Sequence, residues 1–511
     1  MEHQQAAMEK TQAEENIPTS KSADDVPSTS SDLGVAAVTP DWTEEEERAV
    51  RRKLDWHLVP ILTFMYLFCF LDRANIGNAY IEGLRQDLNL KGHQFNWALT
   101  IFFVVFGICD IPSSVLMKRL GGGIWIPFLF IGFGFISLCT AFVKDFAGLM
   151  VARAVLGGFE GGVIPGFAFY LSVFYRRTEL LFRISLFISS TGLAGAFGGL
   201  LASGLSHIPS WGVESMKIHT WRNIFFFEGL VTMIVGIGAI FFLVSNPSQC
   251  KFLDERERHI AMERLLLDHR IDWMERVERR HVKAAICNIN TTICAVGFMC
   301  AALTVNSLTF SMPTILKGLG WTSTKAQLMT VPPFALGWVV SISSAFWSDR
   351  KRRRGVFIPP LALLGVIGFA VLVAEPSVKF KYMAIFFAAC GPASAGIIFL
   401  SWGINNVASP AVRAVAGGYI TVLGTVAALT ATWTYLPENA PAYRQGHSIN
   451  LAVSGLSVVV ALVGIAYVRW ENAQRKCGRR DGRVKAFEEV GLGGERAVVM
   501  LGHRHPGFRY I

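Results

Sequence analysis

Charged residues are scarce in this chain of 511 residues: Lys, Arg, Asp and Glu make up 17%, against roughly 25% in soluble domains. A soluble protein of this length divides into two or three domains with charged surfaces, so the shortage excludes an ordinary soluble enzyme. Cysteine is sparse too, and its number, nine, is odd. Most of the nine lie inside apolar runs (Cys69, Cys109, Cys139, Cys294, Cys300 and Cys390), with no Cys-x-x-Cys pair and no Cys/His cluster. A disulfide framework and a metal site therefore lack their spacing. There is no phosphate-binding loop and no nucleophile elbow. Gly157, Gly158, Gly161 and Gly162 sit within an apolar run and follow no strand, so a dinucleotide reading fails its context. The sequence calls for no cofactor and gives no support to direct drive by ATP.

What the chain does have is apolar length. Counting Gly in place of Tyr raises the apolar share from 52% to about 60%, against roughly 45–50% in soluble domains. A helix needs about 20 apolar residues to cross roughly 30 Å of hydrocarbon. Such runs fall at 57–78, 95–115, 124–143, 148–172, 182–204 and 222–244, and again at 286–312, 326–347, 356–374, 381–403, 412–433 and 449–469. The expected fold is an all-α membrane protein, with twelve transmembrane helices in two six-helix halves, 43–244 and 286–469. Between them 245–285 is polar, dense in Arg and Glu, and carries Leu253, Ile260, Leu265 and Leu266 at helical spacing; it reads as a helix-rich cytosolic linker. Residues 1–42 hold too little apolar surface to offset ordering entropy and are expected to form a disordered cytosolic arm. Thr43 is placed as an N-cap, with Glu46 three residues on. No cleavable leader is visible, so the first span is expected to act as an uncleaved targeting signal. Residues 470–511 are expected to be a cytosolic tail.

Net charge is +10, from 48 Lys+Arg against 38 Asp+Glu. The basic residues sit mostly in short loops between apolar runs, which is a topology signal and not one for nucleic acid. With the N-terminus inside, the inner loops hold Lys118, Arg119, Arg176, Arg177, Arg183, Arg350–Arg354 and Arg413, and the linker adds more. The outer loops hold few. The positive-inside rule places both termini in the cytosol.

An ionisable group at a helix centre costs roughly 2.5–3.5 kcal/mol or more, so each one needs a reason. Arg73, in Asp72-Arg73-Ala74-Asn75-Ile76-Gly77-Asn78, can hold a carboxylate through a planar fork, with Asn75 and Asn78 as neutral donors nearby; the alternative is an interfacial Asp72–Arg73 pair. Arg153 and Glu160 stand seven apart, on one helix face. A buried carboxyl there can load and release a proton near physiological pH, with Arg153 tuning it; the alternative is a permanent partner for a nearby arginine. For Glu228 the structural role is at least as strong. Asp110 precedes Lys118 and Arg119 after the second span, and Asp349 precedes or adjoins Arg350 at the matching place of the other half. Such groups could latch the halves in one state, or simply anchor the inner loops. Asn306, Trp402, with Asn405 and Asn406 beside it, and Tyr419 could line a central cavity or serve packing.

Several strings together resemble the anion:cation symporter family of the major facilitator superfamily, most of all the fungal allantoate and nicotinate permeases. They are Leu71-Asp72-Arg73-Ala74-Asn75-Ile76-Gly77-Asn78-Ala79, Ile111-Pro112-Ser113-Ser114, Gly157-Gly158-Phe159-Glu160-Gly161-Gly162-Val163-Ile164-Pro165-Gly166, Trp221-Arg222-Asn223-Ile224-Phe225-Phe226-Phe227-Glu228-Gly229 and His505-Pro506-Gly507-Phe508-Arg509-Tyr510. The resemblance covers about 45–511. It implies proton-coupled uptake of a small organic anion across the cell-surface membrane. It also implies that Arg73 meets the substrate carboxylate and that Arg153 and Glu160 form the arginine–glutamate pair of the fourth span. The chain departs from the pattern in having Asp110 and Ser114 where Glu and Asn are usual. It also lacks the full Gly-x-x-x-Asp-Arg loop and an arginine in the seventh span, which weighs against a dicarboxylate.

The expected function is therefore proton symport of a monocarboxylate, a vitamin-like acid or a ureide acid by alternating access, with substrate, proton and bilayer as the only partners and the chain working as a monomer. Proton-driven export is the first competitor, although the fifth span has Gly192, Gly195, Gly198 and Gly199 without the proline such exporters commonly carry. A non-transporting sensor is the second. One proton with one monovalent anion is electroneutral, and a pH difference of one unit then supplies about 1.4 kcal/mol. A second proton adds roughly 2.3 kcal/mol per 100 mV.

Overall fold

The computed structural model describes residues 41–511 apart from 214–215, 273–278, 352–353, 375–376, 408–409, 483–505 and 507–511. The expected N-terminal arm lies almost wholly outside the described residues, as does most of the tail. At the start of the first helix the Thr43 N–H donates to the Glu46 carboxylate (2.9 Å) and the Glu46 N–H to the Thr43 hydroxyl (3.3 Å), the reciprocal capping pair read from the sequence.

Each apolar run forms a helix. The first half contains Glu44–Ala79 (α1), Gln94–Leu120 (α2), Gly122–Thr140 (α3), Phe146–Gly161 (α4) with Val163–Phe174 (α5), Arg177–Ser206 (α6) and Thr220–Phe242 (α7). The linker holds Glu255–Asp272 (α8) and Arg279–Ile286 (α9). The second half contains Ile289–Gly318 (α10), Ser323–Leu328 (α11) leading into Val331–Lys351 (α12), Arg354–Val373 (α13), Val378–Asn405 (α14), Pro410–Ala431 (α15) and Arg444–Lys476 (α16). Among the described residues eleven segments are long and apolar enough to cross a membrane, and Val415–Ala431 in α15 is a shorter apolar helix. The chain is thus an all-α membrane protein of the expected twelve-helix plan.

Three local features depart from uninterrupted helices. The fourth span breaks at Gly162, because Pro165 has no N–H to give and its ring crowds the carbonyl of Gly161 four residues back. Beyond α1 the chain makes a π-turn over Tyr80–Leu84, in which Gly83 adopts φ 107°, a left-handed conformation that glycine takes without a Cβ clash. Between α6 and α7 lies a small antiparallel hairpin, Trp211–Val213 (β1) paired with Met216–Ile218 (β2), Trp211 opposite Ile218.

Helix pairing repeats between the halves: α3 packs on α7 and α2 on α4, and the corresponding α13 packs on α16 and α12 on α14. Small residues set these approaches. A Cβ at Gly157 or Gly161 would collide with the Phe102 or Phe106 carbonyl of α2, so α4 lies against α2 as closely as backbones allow.

The halves are joined by a set of hydrogen bonds at the end away from the linker. The Asn96 amide donates to the Thr432 carbonyl (2.5 Å), and Trp433 Nε1 donates to the Thr100 hydroxyl (3.0 Å). Lys317 Nζ (2.7 Å) and the Ser323 hydroxyl (3.0 Å) both donate to the Ile81 carbonyl in the π-turn. At the linker end, Arg183 forks onto both oxygens of Asp55 (2.7 and 2.8 Å) within the first half, and Arg264 of α8 donates to the Phe174 carbonyl (2.8 Å).

Candidate functional site

The costly residues of the first half converge in one buried cluster. Asp72, Arg73, Asn75 and Asn78 come from α1, Arg153 and Glu160 from α4, Ser137 from α3 and Glu228 from α7. Arg73 Nε donates to Glu160 Oε2 at 2.6 Å, the Glu160 carboxylate being fully buried. The same guanidinium lies over the Phe106 ring (4.7 Å) and near Phe102 (5.7 Å), both on α2, so its plane is held by stacking as well as by charge. Arg153 meets Asp72 at 3.5 Å, and Asp72 also accepts from the Ser137 hydroxyl at 2.7 Å. Asn75 donates to Glu228, and Asn78 donates to the Asn75 carbonyl oxygen (3.1 Å) and to the Gly198 carbonyl (3.4 Å).

The pairing differs from the one suggested by spacing along the chain. Arg153 and Glu160 share a face of α4, but each finds its partner on α1: Arg153 takes Asp72, and Glu160 takes Arg73. Asp72 and Arg73 are not an interfacial pair with each other.

A narrow cavity is bordered by Arg73, Arg153, Ile76, Leu99, Phe102, Phe103 and Phe310. Some donors of the two arginines have no partner: Arg73 Nη2, and Arg153 Nε and Nη2, are buried and unbonded. Buried N–H groups of this kind are costly unless something accepts from them. The arrangement sets two guanidiniums with open donors beside the apolar side chains of Ile76, Leu99, Phe102, Phe103 and Phe310.

The second half contributes less to this cavity than the sequence suggested. Trp402 is buried among Cys294, Ile358, Phe399 and Ala461 and packs on Gly355 and Gly464, where its size fills the core. Tyr419 lies against Ala295, Ile404 and Ile420. Asn306 turns its amide back to the Ala302 carbonyl of its own helix (2.8 Å). None of the three borders the cavity; Phe310 does, from α10. At the linker end Asp110 is half-buried on α2, Lys118 and Arg119 are exposed, and no ion pair joins the three among the described residues. Arg350 is exposed on α12, and the Asp349 side chain lies outside the described residues. The sequence offered no signal for Ser137, Phe102 or Phe106, which are ordinary membrane-helix residues until α1 and α4 pack against them.

Residues 62–465 match the Major Facilitator Superfamily. The chain is 32% identical to the MFS-type transporter efuF of Hormonema carpetanum, over 89% of this chain and 92% of that one. It is 32% identical to the high-affinity nicotinic acid transporter of Saccharomyces cerevisiae, over 84% of this chain and 79% of that one. Among solved structures it is similar to a D-xylose-proton symporter, with a TM-score of 0.61 at 13% identity, covering 80% of this chain and 97% of the other. A bacterial homologue of the lysosomal transporter Spinster gives a TM-score of 0.59 at 15% identity, covering 83% of this chain and 97% of the other.

Proposed function

Starting from a chain that belongs to the Major Facilitator Superfamily, we propose that this transporter takes up a small organic anion together with a proton, by alternating access, at the cell-surface membrane. The observation that carries the reading is the half-used guanidinium of Arg73, a residue that borders the cavity: its Nε is held by Glu160 while its Nη2 is buried without a partner. A substrate carboxylate and the Glu160 carboxylate compete for one guanidinium. When Glu160 takes a proton it gives up the ion pair, and Arg73 is free to fork onto the anion. When the proton leaves, Glu160 reclaims Arg73 and expels the anion. Arg153, held near the cavity by Asp72, adds positive potential and donors on its other side. Neither charge is left bare in the buried site in either state, which is the condition for moving across a low-dielectric barrier.

The apolar lining of Leu99, Phe102, Phe103 and Phe310 suits a monocarboxylate with a flat or compact body, and the relative named for nicotinic acid supports this class. The orientation follows the basic loops, with both termini and the linker 245–285 cytosolic. The groups Asp110, Lys118, Arg119, Asp349 and Arg350 then lie at the cytosolic mouth, where they serve to latch the opposite state.

Purified full-length protein in vesicles with an imposed pH gradient tests the reading, with labelled nicotinate as first probe and a panel of small carboxylates after it. The wild type accumulates the anion on the side that protons enter. Glu160→Gln holds no charge, so it exchanges labelled for unlabelled substrate at an appreciable rate but accumulates none. Full proton-driven accumulation by Glu160→Gln overturns the role of Glu160. Movement against the proton gradient makes the chain an exporter, and binding without movement makes it a sensor.

A further inference from the structure

The buried cluster has more acids than bases. Three carboxyl groups, Asp72, Glu160 and Glu228, face two guanidiniums, Arg73 and Arg153, and both guanidiniums are taken by the first two acids. Glu228 is the one left over. It is 5% exposed, receives the Asn75 amide on Oε2, and has no partner on Oε1. Among the described residues no cation lies within ion-pairing distance of it. The charged groups that act on it are Asp72 from α1 and Arg153 and Glu160 from α4. Of the elements packed on α7, α3 has Cys139 as its one titratable residue, α6 has charged residues only over its first two turns, at the linker end (Arg177, Glu179 and Arg183), and the π-turn has Tyr80 and Glu82.

We propose that Glu228 holds a resident proton throughout the transport cycle, so that the buried cluster is neutral when empty and Glu160 is left as the carrier of the exchanged proton. A bare carboxylate here would have one amide and no ion-pair partner, only Arg153 at longer range and already held by Asp72, next to two other acids in a water-excluded bundle. A carboxylic acid at the same place accepts from Asn75 equally well and adds no charge. Neutrality then survives loading: the arriving anion takes Arg73, Glu160 takes a proton, and Asp72–Arg153 and Glu228 are unchanged. The coupling becomes one proton with one monovalent anion. Accumulation responds to the pH difference, about tenfold per unit, and not to membrane voltage.

The inference deepens the proton-symport reading, but its first test needs no substrate. Infrared difference spectra of wild type minus Glu228→Gln, on the full-length purified chain, isolate the protonation state of this one group. The expected difference is a single protonated-carboxyl carbonyl stretch, constant in amplitude from mildly acidic to mildly alkaline buffer. Carboxylate bands in its place, or an amplitude that fades as the buffer passes neutrality, overturn the proposal. Glutamine is the neutral isostere, so the variant must also fold in wild-type yield, and failure to do so counts against a neutral Glu228. In vesicles, nicotinate accumulation that grows with imposed voltage and loses that dependence in Glu228→Gln makes Glu228 a carrier of exchanged protons and overturns the proposal as well. If the wild type moves no nicotinate, the symport reading fails for that probe while the infrared result still decides Glu228.

Discussion

At the scale of single residues, Arg73 does more than supply a positive charge. Its guanidinium is bonded to Glu160 at 2.6 Å and stacked over Phe106 at 4.7 Å, and its Nη2 is buried without a partner. Lysine keeps the charge but has neither the planar fork nor the stacking face. Under the proposed symport, the expected effect of Arg73→Lys is loss of one charge-assisted hydrogen bond to the anion, about 1.5–3 kcal/mol. The half-saturation concentration for uptake should rise about 10- to 100-fold, with folded yield retained. An unchanged constant moves the anion site away from Arg73. The individual members of this site were legible because buried charge is expensive: Arg73, Arg153, Glu160 and Glu228 each stood out in apolar runs. Their partners were not. Spacing along α4 relates Arg153 to Glu160, but it says nothing about what α1 brings opposite them, and both found their counter-charges there. For Trp402, Tyr419 and Asn306 the sequence left cavity lining and packing open for the same reason, since a large or polar side chain in a helix has several neighbours to choose from and the sequence does not rank them.

At the scale of helices, the periodicity of apolar runs carried nearly all of the fold, because length against bilayer thickness is a one-dimensional criterion. The interruptions were not visible in that measure. The break at Gly162 needed Pro165 to be weighed against the carbonyl of Gly161, and the π-turn at Tyr80–Leu84 and the hairpin at Trp211–Ile218 depend on backbone conformations of Gly83 and Gly212 that hydropathy ignores. The glycine run of α4, by contrast, was legible as a packing motif, and the structure separates its members. A Cβ at Gly161 meets the Phe106 carbonyl oxygen, whereas one at Gly158 meets only the Cys109 sulfur and Val105 Cγ1 at 3.7 Å. Alanine in a helix is otherwise favoured over glycine by up to about 1 kcal/mol, while forcing atoms into a packed interface costs about 1–3 kcal/mol. Gly158→Ala should therefore hold or raise the melting temperature of the purified protein, and Gly161→Ala should lower it. Equal effects of the two would mean that α2 and α4 are free to separate.

At the scale of the whole transporter, the contacts between the halves describe which way the central site is shut. Asn96 on Thr432, Trp433 on Thr100, and Lys317 and Ser323 on the Ile81 carbonyl all close the end away from the linker. Gly77 lies so near the Phe310 carbonyl that α1 and α10 meet backbone to backbone. A cavity residue such as Ile76 is thus screened from that end. The proposed alternating access requires these bonds to break together, so that each one biases the balance between two states. Removing the Asn96 amide also strands the buried Thr432 carbonyl, and a loss of about 1 kcal/mol from the sealed state shifts a two-state ratio about fivefold. Asn96→Ala should raise by that factor the rate at which a cysteine placed at Ile76 reacts with an impermeant maleimide supplied at the sealed end. The same chain with native Ile76 sets the baseline for the nine natural cysteines. A rate that Asn96→Ala leaves unchanged, in protein that still folds, would show that the Asn96–Thr432 bond carries no part of the seal and that the gate opens elsewhere.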